Sequence, residues 1–174
     1  MITEFKGEHA FLSNFWPFEG KRLIGPPAPI LWKGVSYSTA EHLFQAGKTT
    51  SGEVAEWIRQ SDTPGAAKSR GRAIKVREDW EEIKLEVMLK VLAAKFTQNR
   101  DLADKLVATG DEDLIEGNWW NDRFWGIDLK QKYPSGENWL GRLLMIIRAQ
   151  LAMKADLEDF MATARMTRRG ELVA

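Results

Sequence analysis

Apolar and polar residues change their spacing at Ser38. Before it, short apolar stretches alternate with glycine and proline. Residues 2–5 read as a short extended segment, and residues 30–37 as two apolar stretches around a Lys33-Gly34 turn. Residues 25–29 hold three prolines, which lack a backbone donor and fix φ, so an exposed loop is expected there. From Ser38 the period becomes helical. One helix is predicted from Ser38 towards Lys48 and a second over residues 53–60. A third opens at Asp62-Thr63-Pro64, with Pro64 in its first turn. A long helix is predicted over residues 78–97. Its apolar positions Trp80, Ile83, Val87, Val91 and Ala94 fall three and four apart, and Met88 and Leu92 widen the stripe. Asn99 is expected to cap the next helix, Leu102 and Leu106 to form its inner face, and Gly110 to end it. Residues 111–137 show no period and read as irregular. The last helix begins near Asn138, and its LGRLLMIIRAQLAM stretch is apolar on most sides, which predicts a central position in the core. Residues 154–174 continue as a weaker helix through Leu157, Phe160, Met161 and Ala164, then reach Arg168-Arg169-Gly170, where fraying is the default. There is no repeat, low-complexity segment or linker. The expectation is mainly α: a single globular helical domain over residues 1–153 with a small N-terminal β element, followed by a helical extension or tail over residues 154–174.

Composition narrows the chemistry. A chain of 174 residues that is 44% hydrophobic suits one domain with a real core. Its 25 basic and 25 acidic residues balance, which argues against bulk affinity for nucleic acid or membrane but leaves room for a local phosphate site. The absence of cysteine excludes disulfides, thiolate zinc and a cysteine nucleophile. His9 and His42 are the only histidines, too few for a histidine metal site or to favour a Ser-His-Asp triad. No metal or cofactor is therefore expected. No apolar run approaches the roughly 20 residues of a membrane span, and the first residues lack the basic start and apolar stretch of a signal peptide. A cytoplasmic location and no membrane partner are expected. The eight tryptophans are unusual. A bulky core is their ordinary use, but Trp119, Trp120 and Trp125 crowd into one polar loop, which packing alone explains less well.

Three segments could carry chemistry. In Ser38-Thr39-Ala40-Glu41 the spacing fits a capping box, with Ser38 as cap and Glu41 reaching back to its amide. The same carboxylate, held at a helix N-terminus, could also face a cleft. The segment from Asn118 to Asp128 offers two carboxylates, one arginine, amides and three tryptophans without regular spacing. It could stack a planar base and set a carboxylate near a sugar, or it could be a turn whose aspartates bond their own backbone. The basic stretch Lys68-Ser69-Arg70-Gly71-Arg72 could clamp a phosphate. A solvated helix end is the plainer reading and is preferred. Asn14 and Lys48 are polar residues in apolar patterns, and His42 is expected to be a packed or surface histidine. No GxxxxGK[ST] or GxGxxG motif is present, which disfavours NTPase, kinase and Rossmann readings.

Several of these segments together resemble the NADAR, or YbiA-like, family: FLSNFWPF (11–18), YSTAEHLFQAGK (37–48), REDWEEIKLEVMLKVLAAKFTQN (77–99), LVATGDEDLIE (106–116), NDRFWGID (121–128) and NWLGRLLMIIR (138–148). They follow the family's order and span roughly residues 4–153. The resemblance implies a mainly α single domain and N-glycosidase activity, a hydrolysis of N-glycosyl bonds. One branch of the family cleaves ribosylamino-pyrimidine phosphates of early riboflavin biosynthesis and releases ribose 5-phosphate. Another removes ADP-ribose from modified guanine in nucleic acid. By position the resemblance places functional residues at Glu41, Trp80, Trp125 and Asp128, with Asn14, Lys48, Asp122 and Arg123 in the same motifs. The chain departs from the family at Trp16, where tyrosine is common, and in the Trp119-Trp120 pair. Both departures could reshape a base pocket.

Cleaving a ribose C1–N bond builds positive charge on the sugar, so a carboxylate must stabilise it or deprotonate water. Glu41 is the expected base or cation stabiliser. Asp128 is expected to share the sugar site or orient the water. Trp125 would stack on the leaving heterocycle, with Trp80 as a further wall or as a core residue of the long helix. Arg123 and Lys48 would hold phosphate or polarise the base. The expected partner is a small phosphorylated ribosyl substrate. The alternatives are an ADP-ribosyl hydrolase acting on ADP-ribosylated nucleic acid and a non-catalytic module that binds NAD or ADP-ribose.

Overall fold

The computed structural model describes the backbone of residues 1–168 and the side chains of residues 1–158. A 3-10 turn, Gly7–Leu12, leads into two small antiparallel hairpins: β1 (Phe18–Glu19) with β2 (Arg22–Leu23), and β3 (Ile30–Trp32) with β4 (Val35–Tyr37). Lys33 and Gly34 both have positive φ at the tip of the second hairpin, the left-handed turn expected of that dipeptide. The helices follow: α1 (Ala40–Ala46), α2 (Gly52–Arg59), α3 (Pro64–Ala73), α4 (Trp80–Gln98), α5 (Arg100–Val107) and α6 (Trp139–Arg168). The chain is mainly α with its larger β elements at the start, as expected. The segment expected to be wholly irregular contains one regular feature. β5 (Gly117–Asn118) pairs in parallel with β6 (Ile127–Asp128), and two-residue strands are too short to leave a period in the sequence.

The helix starts explain the local structure. Thr63 and Ser51 cap α3 and α2 through their hydroxyl oxygens, and Pro64 sits in the first turn of α3. At α1 the cap is Thr39, one residue later than the spacing suggested. Its hydroxyl accepts from the His42 amide and also pairs with His42 Nδ1 at 2.7 Å. The third helical position is therefore His42, not Glu41, and the expected capping box does not form. Asn99 precedes α5 but does not cap it by accepting. Its amide donates to the Lys95 and Pro29 carbonyls.

The centre of the core is α1, all seven of whose residues are buried and which packs on α2, α3 and α4. The expectation that α6 is central is corrected. It lies on a flank against α4 and α5 and buries one stripe, Leu140, Leu143, Leu144 and Ile147, while Ile146 on the other side is exposed. It continues without a break across residue 153, and the part of the tail from Arg169 onward lies outside the described residues. No helix among the described residues is long and apolar enough to cross a membrane. Beneath α1, Lys95 of α4 is fully buried and donates to the Phe11 and Ser13 carbonyls at 2.6 and 2.8 Å. Burial lowers its ammonium pKa to about 7. The two bonds fix the chain just before Asn14, whose own carbonyl accepts from the Glu41 amide at 3.0 Å.

Candidate active site

A cavity of about 490 Å³ opens between α1, α3, the segment around Asn14, and the loop from Glu116 to Trp125. Its walls divide by chemistry. Glu41, Gln45 and Lys48 come from α1, and Lys68 and Arg72 from α3. Phe44, Phe124 and Trp125 form an aromatic side, while Glu116, Asn118, Asp122 and Arg123 come from the loop. Six of the eight residues predicted for the site by sequence line it: Asn14, Glu41, Lys48, Asp122, Arg123 and Trp125. Trp80 and Asp128 do not line the cavity. Trp80 is buried behind Phe44, at 5.2 Å between ring centroids, and supports the aromatic wall from the core.

Glu41 has 5% of its surface exposed, and its Oε1 accepts from Gln45 Nε2 at 2.7 Å. Burial raises its pKa. The Lys68 charge, the Gln45 bond, Lys48 and Arg72 oppose that rise. Glu41 is thus a desolvated carboxylate with three cations drawing it towards the ionised form. Lys48 shifts the other way, its pKa lowered by burial despite the pull of Glu41. Gln45 is held by tight packing: a β-carbon at position 71 would lie 2.0 Å from its Oε1, so Gly71 lets α3 approach α1 at this point.

The basic stretch is not merely a solvated helix end. Lys68 and Arg72, one turn apart on one face of α3, turn into the cavity, whereas Arg70 bonds the Trp57 carbonyl and lies over the Trp57 ring. The four-residue spacing of Lys68 and Arg72, with a glycine between them, was the signal available in the sequence.

The loop is organised by Asn118, which is fully buried. Its Oδ1 accepts from the Asp122 and Trp120 amides and its Nδ2 donates to the Asp122 and Ile127 carbonyls. Asp122 in turn accepts from the Trp125 amide at 2.9 Å, so it serves both as a turn residue and as part of the wall. Trp125 meets Phe44 and Phe124 edge-on, at 5.4 and 4.9 Å. Asp128, only 1% exposed, accepts from the Lys130 amide at 3.0 Å and Gln131 Nε2 at 3.1 Å, and lies 3.9 Å from Arg123 Nη2. The Gln131 bond, followed by the Lys130 amide and Arg123, holds its pKa low. Trp120 lines the rim of the cavity and is 60% exposed, while Trp119 is exposed beside it and bonds Glu4. Trp16, the other departure from the family pattern, is buried in the core away from the cavity.

His42 is a packed histidine. Its Nε2 faces the Ser61 carbonyl at 3.0 Å, which can only accept, so Nε2 carries the proton and Nδ1 accepts from Thr39. Burial lowers its pKa. Four buried side-chain polar atoms among the described residues lack a partner in the protein: Asn14 Oδ1, Gln45 Oε1, Glu116 Oε2 and Trp16 Nε1. The first three belong to cavity residues. Buried polar atoms are normally satisfied, and their concentration here marks a surface built to receive a polar ligand. Sequence reasoning missed Gln45 and Glu116, neither of which stands out by spacing, and included Asn118 only as one amide of the candidate loop. No group of three or more histidine and acidic side chains among the described residues is placed to hold a metal ion.

Comparison with known proteins matches the NADAR domain over residues 3–152. The N-glycosidase YbiA of Escherichia coli is 39% identical over 128 residues, which are 72% of this chain and 78% of that protein. An N-glycosidase of Nostoc punctiforme is 32% identical over 120 residues, covering 66% of this chain and 74% of that one. A riboflavin biosynthesis protein of Vibrio vulnificus is 33% identical over 162 residues, 91% of this chain but 40% of that longer protein. The NMR structure of Escherichia coli YbiA superposes with a TM-score of 0.71 at 34% identity, covering 88% of this chain and 84% of that one.

Proposed function

The chain belongs to the NADAR domain family, and from that premise we propose that this N-glycosidase hydrolyses the ribose C1–N bond of a phosphorylated ribosylamino heterocycle, a ribosylamino-pyrimidine 5′-phosphate, releasing ribose 5-phosphate. One observation carries the reading: a buried, cation-flanked Glu41 carboxylate lies in the same cavity as a basic face and an aromatic wall. Breaking C1–N leaves an oxocarbenium-like sugar. Glu41 stabilises that charge and takes a proton from the attacking water, and Gln45 holds its carboxylate in place. Lys68 and Arg72 bind the phosphate, with Arg123 and Lys48 beside them. Binding energy spent there seats C1 for attack. Trp125, backed by Phe44 and Phe124, packs on the leaving heterocycle, and Asn14 offers it an unpaired side-chain oxygen, Oδ1. Asp128 acts from outside the cavity, holding Arg123 and the turn after β6.

The exposed Trp120 at the rim supports a second reading, an ADP-ribosyl-guanine substrate whose extra base stacks there. Product release read by mass spectrometry separates the two. A ribosylamino-pyrimidine 5′-phosphate giving ribose 5-phosphate is the expected result. Free ADP-ribose from an ADP-ribosyl-guanine oligonucleotide alone would assign the second substrate, and ligand binding without product from either would make the domain a binding module.

A further inference from the structure

We propose that Glu116 is a second catalytic carboxyl of this cavity, the acid that gives a proton to the nitrogen leaving C1 while Glu41 takes one from the attacking water; the inference rests on the N-glycosidase reading above. Glu116 lines the same cavity as Glu41, and its Oε2 is buried without a partner in the protein. Its backbone is fixed at both polar groups: the amide donates to Asn138 Oδ1 at 3.0 Å and the carbonyl accepts from the Ile127 amide at 2.9 Å. Gly126 permits this arrangement, since a β-carbon there would lie 2.1 Å from the Glu116 carbonyl oxygen. The backbone is rigid and the carboxyl is uncommitted, as expected of a group whose partner is the substrate.

The surroundings divide the two carboxyls. Burial raises Glu41 too, but it accepts a hydrogen bond from Gln45, and the charges of Lys68, Lys48 and Arg72 oppose the rise. Glu116 meets two acidic neighbours, Asp122 more strongly than Glu41, with Lys68 opposing Asp122 and Lys6 the weakest charge felt. Burial first, then Asp122, pushes it up to about 7, so a substantial share of the molecules carries the proton at neutral pH. Two carboxyls in one cavity, one flanked by three cations and a bonded amide and the other uncommitted beside Asp122, suit base and acid roles at one bond. In the reaction the C1–N electron pair goes to nitrogen, which takes the Glu116 proton and departs as the amine. Water oxygen bonds to C1 as its proton passes to Glu41. Solvent then returns that proton to Glu116.

An acid is needed only when the leaving nitrogen must be protonated. The test compares wild type and Glu116→Gln on a ribosylamino-pyrimidine 5′-phosphate and on nicotinamide ribose 5′-phosphate, whose pyridinium departs as neutral nicotinamide. The expected result is a loss of kcat of about 10²–10⁴-fold on the first substrate and a far smaller loss on the second, with an unchanged melting temperature. Equal losses on both, or no loss on the first, overturn the assignment. If the variant does not fold, the wild type decides alone: its rate should fall at alkaline pH with the amino substrate and not with the pyridinium. The same alkaline fall with both would overturn the proposal. A folded wild type that cleaves neither substrate refutes the N-glycosidase reading itself and this inference with it, which is distinguishable from an active wild type with an indifferent Glu116.

Discussion

The first turn of α1 and the end of β6 each bury a carboxylate, yet they hold it in opposite ways. Glu41 and Asp128 are 5% and 1% exposed. Glu41 receives one side-chain bond, has its pKa raised by burial and faces the cavity. Asp128 has both oxygens bonded, has its pKa lowered and faces the protein. The difference lies in local commitment. A carboxylate whose acceptor capacity is spent on its own turn shapes that turn, whereas one with spare capacity and cationic neighbours can act on a ligand.

Four substitutions would break or sharpen that comparison. Glu41→Gln should have the largest effect, a loss of turnover of about 10²–10⁴-fold with the fold intact by circular dichroism. Because burial raises the Glu41 pKa, the folded state favours its protonated form. The stability it contributes is complete below the ordinary 4.5 and lost as pH rises. Glu41→Gln should therefore melt at or above the wild-type temperature at neutral pH, and lose that advantage below 4.5. Lys68→Ala comes next: KM should rise about 10–100-fold, the loss of a charged hydrogen bond to phosphate. It also removes the strongest charge lowering the Glu41 pKa, so the acid limb of the kcat/KM profile should move to higher pH. Asp128→Asn should reverse the pattern of Glu41→Gln, with a lower melting temperature and turnover within about tenfold, the effect of a loosened positioning contact. The Asp128 pKa is lowered, so its stabilisation is present above the ordinary 3.8 and lost as pH falls through its lower folded value. The melting deficit of Asp128→Asn should be full at neutral pH and close in acid. Gln131→Ala should do least, lowering the melting temperature slightly and leaving kcat/KM within about twofold.

The long, strongly periodic elements were legible in the sequence. The apolar ladder of α4, Pro64 after its Thr63 cap, and the Lys33-Gly34 turn all gave the observed elements. Glu41 was found through its place near a helix start, although the cap is Thr39 and no box forms. The family motifs supplied Asn14, Lys48, Asp122, Arg123 and Trp125, which the fold gathers from segments distant in the chain around one cavity. What the sequence hid is tertiary. Glu116 is one of four acidic residues in Asp111-Glu112-Asp113-Leu114-Ile115-Glu116, and only the packing of Gly126 and Asn138 against it shows that it is held in place. The apolarity of α6 suggested a central helix, but the buried centre is the short α1, whose His42 and Glu41 find partners inside. Trp80 and Asp128 support the site from behind, and motif position alone does not separate a supporting residue from a lining one.

The most direct test is a side-by-side measurement of kcat/KM for wild type, Glu41→Gln and Asp128→Asn on a ribosylamino-pyrimidine 5′-phosphate, each corrected for the folded fraction. The account predicts release of ribose 5-phosphate by wild type, a loss of at least about 10²-fold in Glu41→Gln, and turnover per folded molecule within about tenfold of wild type in Asp128→Asn. A fully folded Glu41→Gln that keeps its rate, beside a folded Asp128→Asn that loses it, would contradict the account.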